Sequence, residues 1–399
     1  MIVVSVEDPD TRRSARSGAL AGNRVLDVST LGPGPYATML LADMGADVVS
    51  VVRPRSSAPD GPDPSSWFQR GKRSLEIDLR AEHGPELVRR LAVQCDVFLE
   101  GYRPGTMERR GLGPADLHAL HPRLIYTRLT GWGQQGPYSG QAGHDINYIA
   151  VGGALGVLGE DAPVPPLNLL GDFASGSLLA VLGTVLALYE RERTGIGQVV
   201  DAAMVDGAAL LASSQLAELS RGEWRGRGRS VLSGVAPFYG VYRCADGRYF
   251  SVGAIEPKFY ALLLAGLGQP DELCASQYDE TLWPELRASF AACFATRTQA
   301  AWEDVFRHGD ACAFPVRELD ELTGDPHLAA RGTVLPTSWP PGGVQAAPAP
   351  RLSGSPVVAP HGPRESGPAT VLSSFGVSRH DQERYTASGT LRAPAPSSA

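Results

Sequence analysis

RVLDVSTLGPGPYATMLLADMGADVVSVVR, residues 24–53, is the stretch on which the fold turns. Its first six residues, RVLDVS, read as a buried strand. The turn Gly32-Pro33-Gly34-Pro35 leads into a short helical pattern over 36–44, and 47–53 reads as a second buried strand. Strand, helix, strand is the unit from which parallel sheets are assembled. The pattern continues with strand 74–79, amphipathic helix 85–93, strand 96–99, a helical turn at 117–120 and strand 124–129. The expected class is α/β, with an open, mostly parallel, Rossmann-like sheet covered by helices on both faces.

Working outward, an apolar helical pattern covers 173–193, followed by a strand-like 198–201 and a second helical pattern to about 219. At 221–233 the composition turns to Gly, Arg and Ser. A strand-like block, 238–252, follows with a turn at Ala245-Asp246-Gly247, then helical patterns at 257–267, 283–295 and 299–308. The 399 residues suit two to three domains. The division expected is a polar leader (1–18), a large domain (19–203), a linker helix (204–236), a small α+β domain (237–330) and a flexible Pro/Ser-rich tail (361–399).

A hydrophobic share of 43% with 20% charged residues describes a globular chain. The 36 basic and 43 acidic residues give −7, which argues against a nucleic-acid coat, so any anionic ligand must be met by a local basic patch. The apolar stretch at 178–189 is shorter than the roughly 20 residues a bilayer crossing needs and reads as a buried core helix. Residues 1–17 carry no secretory h-region, which makes a cytoplasmic location the expectation, without membrane attachment. Five scattered cysteines form no C-x-x-C pair and suggest neither disulfide nor metal site.

Several residues are candidates for chemistry. Gly32-Pro33-Gly34-Pro35-Tyr36-Ala37 formally satisfies G-x-G-x-x-G/A, but Pro35 offers no N–H to a pyrophosphate, and the second strand ends in Arg53 where a dinucleotide site needs a carboxylate. A tight turn with close helix packing is the preferred reading. Basic residues cluster past the strands: Arg53 and Arg55, then Arg70, Lys72 and Arg73, then Arg103, Arg109 and Arg110. Strand ends lie side by side in such a sheet, so these side chains could meet one phosphorylated ligand, although a solvated basic rim has the same composition. Gly143-His144-Asp145 ends a glycine-rich loop, with Asp145 a possible helix N-cap. Asp172, in Asn168-Leu169-Leu170-Gly171-Asp172, precedes an apolar helix. Two proton carriers at two element starts can face each other across a pocket, and spacing leaves open whether they do. Glu256, where a strand ends and Pro257 opens a helix, reads locally as ordinary N-terminal helix stabilisation. Elbow-hydrolase, zincin, P-loop and EF-hand patterns are absent from the sequence.

RVLDVSTLGPGPYATMLLADMGADVVSVVRP, EGYRPGTMERRGLG, LTGWGQQGPYSGQAGHDINY, PLNLLGDFASGS, GQVVDAAMVDG and CADGRYFSVGAIEPKFY occur in that order. Together they resemble the family III CoA-transferase (CaiB/BaiF) superfamily, within it the alpha-methylacyl-CoA racemases, over about residues 20–350. The resemblance implies a large domain completed by a returning segment, 340–360, and an interlocked homodimer. It implies His144 and Asp172 as the proton carriers and Glu256, from the partner chain, as the residue orienting the histidine. It places CoA's ADP part on Arg53, Lys72 and Arg103. CoA is then part of the substrate, and no separate cofactor and no metal is required.

The implied chemistry is interconversion of (2R)- and (2S)-2-methylacyl-CoA. A base on one face of the thioester removes the α proton, an acid on the other face returns one, and backbone N–H groups near Asp145 are expected to hold the enolate oxygen. One proton is shared by the resting pair. Transferases of the same fold use the equivalent aspartate as a nucleophile and need no histidine at this position, so Gly-His-Asp tilts the reading toward a racemase, with a CoA-transferase using Asp172 as the alternative. A catalytically retired acyl-CoA-binding subunit is a third reading, against which the joint presence of His144, Asp172 and Glu256 argues. The acyl chain is not specified; the Gly-, Ala- and Leu-rich stretch 149–158 suits either an apolar acyl surface or plain core packing.

Overall fold

The computed structural model describes residues 17–30, 32–54, 68–338, 341–357, 362–364 and 366–392, so most of the leader and the end of the tail lie outside the described residues. The chain divides into two compact units, one comprising Met1–Gly152, Pro166–Leu211 and Gly332–Ala399, the other Gly153–Pro165 and Ala212–Arg331.

The larger unit begins with β1 (Arg24–Asp27), α1 (Pro33–Asp43), β2 (Asp47–Val52), β3 (Arg73–Glu76), α2 (Gly84–Ala92), β4 (Val97–Glu100), α3 (Pro114–Leu120) and β5 (Ile125–Thr130). Its sheet runs β3-β2-β1-β4-β5-β6, every pair parallel, with β6 at Val199–Ala203. Val25 pairs with Val48 on one side and Val97 on the other, and all three are at most 2% exposed. Strands covered on both faces read as continuous apolar runs, which is why 24–29 and 47–53 were legible. The order reverses between β1 and β4, and the crevice beyond their carboxyl ends is where open α/β sheets bind ligands.

Pro33 opens α1, its fixed φ suited to a first helical turn, while Gly32 adopts φ 54 before it. A Cβ on Gly34 would stand 2.3 Å from the Ser29 side chain, so the Gly-Pro turn serves close packing of helix on strand. After β5 come α4 (Asp145–Val151), a π-helical stretch over Leu169–Ser177, α6 (Leu178–Thr194) and α7 (Met204–Leu211); the short α5 (Ala154–Val157) belongs to the other unit. The apolar pattern at 173–193 is thus not one uniform helix. Nor is α6 a wholly buried core helix: Ala180, Thr184, Ala187 and Leu188 face the sheet, whereas Leu178, Leu182, Leu186 and Tyr189 are about half exposed or more. By length and composition Leu169–Thr194 would also reach across a bilayer.

The smaller unit contains α8 (Ser213–Ser220), β7 (Tyr239–Arg243), β8 (Tyr249–Gly253), α9 (Pro257–Leu267), α10 (Trp283–Phe294), α11 (Gln299–Phe306), β9 (Ala313–Pro315) and α12 (Pro326–Arg331). Its antiparallel sheet, β7-β8-β9, covers a core of Phe238, Phe250, Tyr260, Phe290, Phe294 and Trp302. The chain then returns to the larger unit through β10 (Val334–Ser338), β11 (Pro341–Ala346), α13 (Pro368–Ser374) and α14 (Arg379–Ala387).

These last two helices correct the expectation of a flexible tail over 361–399. Val371, Leu372, Tyr385 and Leu391 join the sheet's own core, and the Tyr385 hydroxyl donates to Glu86 on α2 at 2.9 Å. Leu391 makes a single antiparallel bridge to Ile77, so the returning segment is pinned beside the sheet just past β3. A Pro/Ser-biased composition concealed an apolar stripe long enough to be held by burial.

Candidate active site

The carboxyl ends of β1, β4 and β5 open onto a cavity of about 420 Å³. Ser29 and Thr30 line it after β1, Gly101 and Arg103 after β4, Gly131 and Trp132 after β5, and both His144 and Asp172 face into it.

His144 is the N-cap of α4, in extended conformation (φ −130, ψ 174), and its backbone N–H donates to Asn147 Oδ1 at 3.0 Å. Its imidazole is exposed at the cavity. The loop before it is fixed by Tyr148, whose hydroxyl donates to the Gly143 carbonyl at 2.5 Å and whose ring meets Trp132 edge-on. Asp145, expected as the N-cap, is instead the first helical residue, and it is buried. Its Oδ2 accepts the backbone N–H of Asp172 at 2.6 Å, so the residue next to the histidine grips the aspartate's main chain. This clamp requires Gly171, because a Cβ there would stand 2.6 Å from Asp145 Oδ2. Sequence reading missed the clamp; its one local signal is the glycine immediately before Asp172.

Asp172 lies in the π-helical stretch, whose wider turn is a recurrent feature of functional sites. Its Oδ2 accepts from Asn168 Nδ2 at 3.4 Å and lies over Gly32, 3.5 Å from where a Cβ would be. The preceding Leu167 is held at φ 56, a left-handed backbone costly for a side chain of its size. Burial pushes the Asp172 carboxyl above its ordinary range; the Asn168 hydrogen bond opposes this, the nearby Asp145 carboxylate adds to it, and His144 opposes it. A carboxyl raised in this way gives up and regains a proton more readily near neutrality. Tyr148 is likewise raised, first by burial and then by Asp172, with Arg103 acting against it, so these groups share one electrostatic neighbourhood.

The three expected CoA-binding residues separate. Arg103 is exposed at the cavity that holds His144 and Asp172. Arg53 lines a second cavity of about 400 Å³, together with Arg80 and Arg110, and this cavity shares Thr30 and Tyr102 with the first. Lys72 reaches neither, which corrects the expectation that it holds the ligand. It is 0% exposed, its ammonium donating to Thr38 Oγ1 (2.6 Å), the Pro35 carbonyl (2.7 Å) and Asp27 Oδ2 (3.2 Å). Its work is internal: it ties the residue before β3 to the Gly-Pro turn and the end of β1. Glu256 belongs to the smaller unit, as the exposed N-cap of α9 with no side-chain capping bond. Its carboxylate stands at the positive end of α9, where ordinary N-terminal helix stabilisation places one. Among the described residues no group of His, Cys, Asp and Glu is arranged to hold a metal.

Residues 20–366 match the profile of the CoA-transferase family III. The chain belongs to that family. Within CoA-transferase family III, it is 43% identical over 375 residues to the alpha-methylacyl-CoA racemase of Mus musculus, covering 91% of this chain and 94% of the relative. It is 44% identical over 370 residues to that of Homo sapiens, covering 91% and 95%. Among solved structures, a CaiB/BaiF family protein from Brucella suis superposes with a TM-score of 0.75 at 26% identity, covering 91% of this chain and 100% of that one. The family accounts for the α/β architecture with its small antiparallel domain.

Proposed function

We propose that this chain is an alpha-methylacyl-CoA racemase, interconverting the two configurations at carbon 2 of branched acyl-CoA thioesters. The observation that carries the reading is the placement of His144 and Asp172 on one cavity at the sheet's switch point, joined through Asp145. In one direction a neutral His144 takes the α proton while a protonated Asp172 delivers its own proton to the opposite face; in the other the roles exchange. The C–H bond broken on one face is replaced by one on the other, and the enzyme ends with its single proton moved from carboxyl to imidazole. The electron pair left by the departing proton is held as an enolate, its oxygen accepting from backbone N–H groups near Asp145, at the start of α4.

CoA's ADP end fits the basic second cavity with Arg53, which meets the first cavity at Thr30 and Tyr102, and Arg103 lines the first. A second copy of the chain completes the enzyme: its Glu256 orients His144, and the apolar face of α6 is buried in the resulting homodimer.

The test is solvent exchange. In D2O the chain should place deuterium at carbon 2 of 2-methylacyl-CoA without any acceptor acid. His144→Ala and Asp172→Ala should each lower racemisation by about 10³-fold, within the range of general acid–base effects. Substantial racemisation by either variant excludes the two-base scheme. CoA movement seen only when a second carboxylic acid is added assigns Asp172 the role of nucleophile in a transferase instead.

A further inference from the structure

The family match ends at residue 366, yet the chain continues through α13 and α14 and returns to the sheet at 390–392. There the Asp78 N–H donates to the Thr390 carbonyl at 3.0 Å, and the Arg392 N–H donates to the Glu76 carbonyl at 3.1 Å. Thr390 and Leu391 are buried, so this segment is firmly anchored. Its register matters for the ligand, because Gly389 and Arg392 form part of the wall of the basic cavity beyond the strand ends.

The geometry points to the C-terminal segment as a built-in wall of the nucleotide site, with Arg392 binding phosphate of the CoA ADP moiety alongside Arg53, Arg80 and Arg110. The inference rests on the acyl-CoA reading above and extends it to a part of the chain that the family match does not reach. The charge balance supports it: among the described residues Arg53, Arg80 and Arg110 line this cavity against one carboxylate, Asp78, which already accepts the Arg80 backbone N–H at 2.8 Å. Arg53 and Arg80 are exposed, and Arg110 donates only to the Thr106 carbonyl, so none of these three is neutralised by an acid among the described residues. Guanidinium groups converging on a concave surface suit phosphate, which each can bind through two N–H groups. The strand bridge gives Arg392 a fixed starting point, its side chain projecting from backbone hydrogen-bonded to the rim of the sheet. The substrate's distal end is then gripped by a residue, Arg392, that lies 26 residues past the end of the family match.

The experiment is direct binding of 3′,5′-ADP to the full chain by calorimetry, for the unaltered protein, Arg392→Ala and Arg392→Lys. Arg392→Ala should weaken binding about tenfold, the scale of one charge-assisted hydrogen bond, and Arg392→Lys should recover part of the loss. Exchange with a 2-methylacyl-pantetheine thioester, which lacks the nucleotide, should be equal in all three. Unchanged 3′,5′-ADP affinity in Arg392→Ala overturns the inference while leaving the acyl-CoA reading intact; so does an equal loss with the pantetheine thioester. No binding of 3′,5′-ADP to the unaltered chain defeats the acyl-CoA reading itself.

Discussion

Asp145 connects His144 and Asp172, the proton carriers proposed above, by both covalent and hydrogen-bonded routes: it follows His144 in the chain and accepts the main-chain N–H of Asp172. It also acts through charge, since its carboxylate raises Asp172 in addition to the larger effect of burial. Activity needs one proton on the pair. As pH falls through the Asp172 titration both members are protonated and no base remains, so kcat/KM drops on the acid side; at high pH the acid is lost and it drops again. Because Asp172 is raised, the acid limb should lie above the ordinary aspartate value of 3.8. Asp145→Asn keeps an acceptor for the Asp172 N–H but removes the like charge, so the acid limb of the deuterium-exchange profile should move to lower pH. A limb that stays in place or moves up would show that Asp145 acts only as a structural clamp. His144 and Asp172 could be picked out from their glycine-rich surroundings, but the Asp145 contact spans 27 residues and has no periodicity to reveal it.

The Gly-Pro turn and the strands around it depend on a buried charge. Asp27, at the end of β1, accepts from Ser29, Thr38 and Ser50 as well as from Lys72. Burial lowers the Lys72 ammonium, with Asp27 working in the other direction. Lys72→Met would leave the carboxylate buried without its counter-charge, and a loss of about 3 kcal/mol in urea unfolding is expected, the lower end of the range for breaking a buried pair because three hydroxyls remain. If Lys72 were instead a ligand contact, the variant would lose CoA affinity and keep its stability. The same reasoning applies to the π-helical stretch. Gly171→Ala would press a methyl group on Asp145, costing about 1–3 kcal/mol, and should lower exchange at carbon 2 more than it lowers 3′,5′-ADP binding.

Beyond single elements, the exposed face of α6 sets the expected assembly. Leu178, Leu182, Leu186 and Tyr189 recur at three- and four-residue spacing and are 49%, 52%, 57% and 66% exposed. An apolar stripe of this kind is usually covered by a partner, and a second copy of the chain is the occupant proposed above. Leu182→Arg combined with Leu186→Arg should shift light scattering from dimer toward monomer mass. Exchange activity should fall with it, because each His144 then lacks the partner's Glu256. Full activity in a monomeric variant would remove Glu256 from the mechanism.

Local sequence was enough for the parallel sheet and its central strands, because residues buried on both faces must be apolar and a run of them between turn residues leaves little choice of structure. It was enough, too, to single out His144 and Asp172, which line one cavity beside glycines. It could not distinguish Lys72 from Arg103: both are cations beside a strand end, and only the three-dimensional arrangement turns one inward to Asp27 and the other outward to the cavity. It read residues 361–399 as a loose end, although Val371, Leu372 and Tyr385 are buried in the core of the sheet. Periodicity reports a segment's own preference for a face; which surface meets that face, and which charge meets which, depends on contacts between residues far apart in the chain, and those exist only once it has folded.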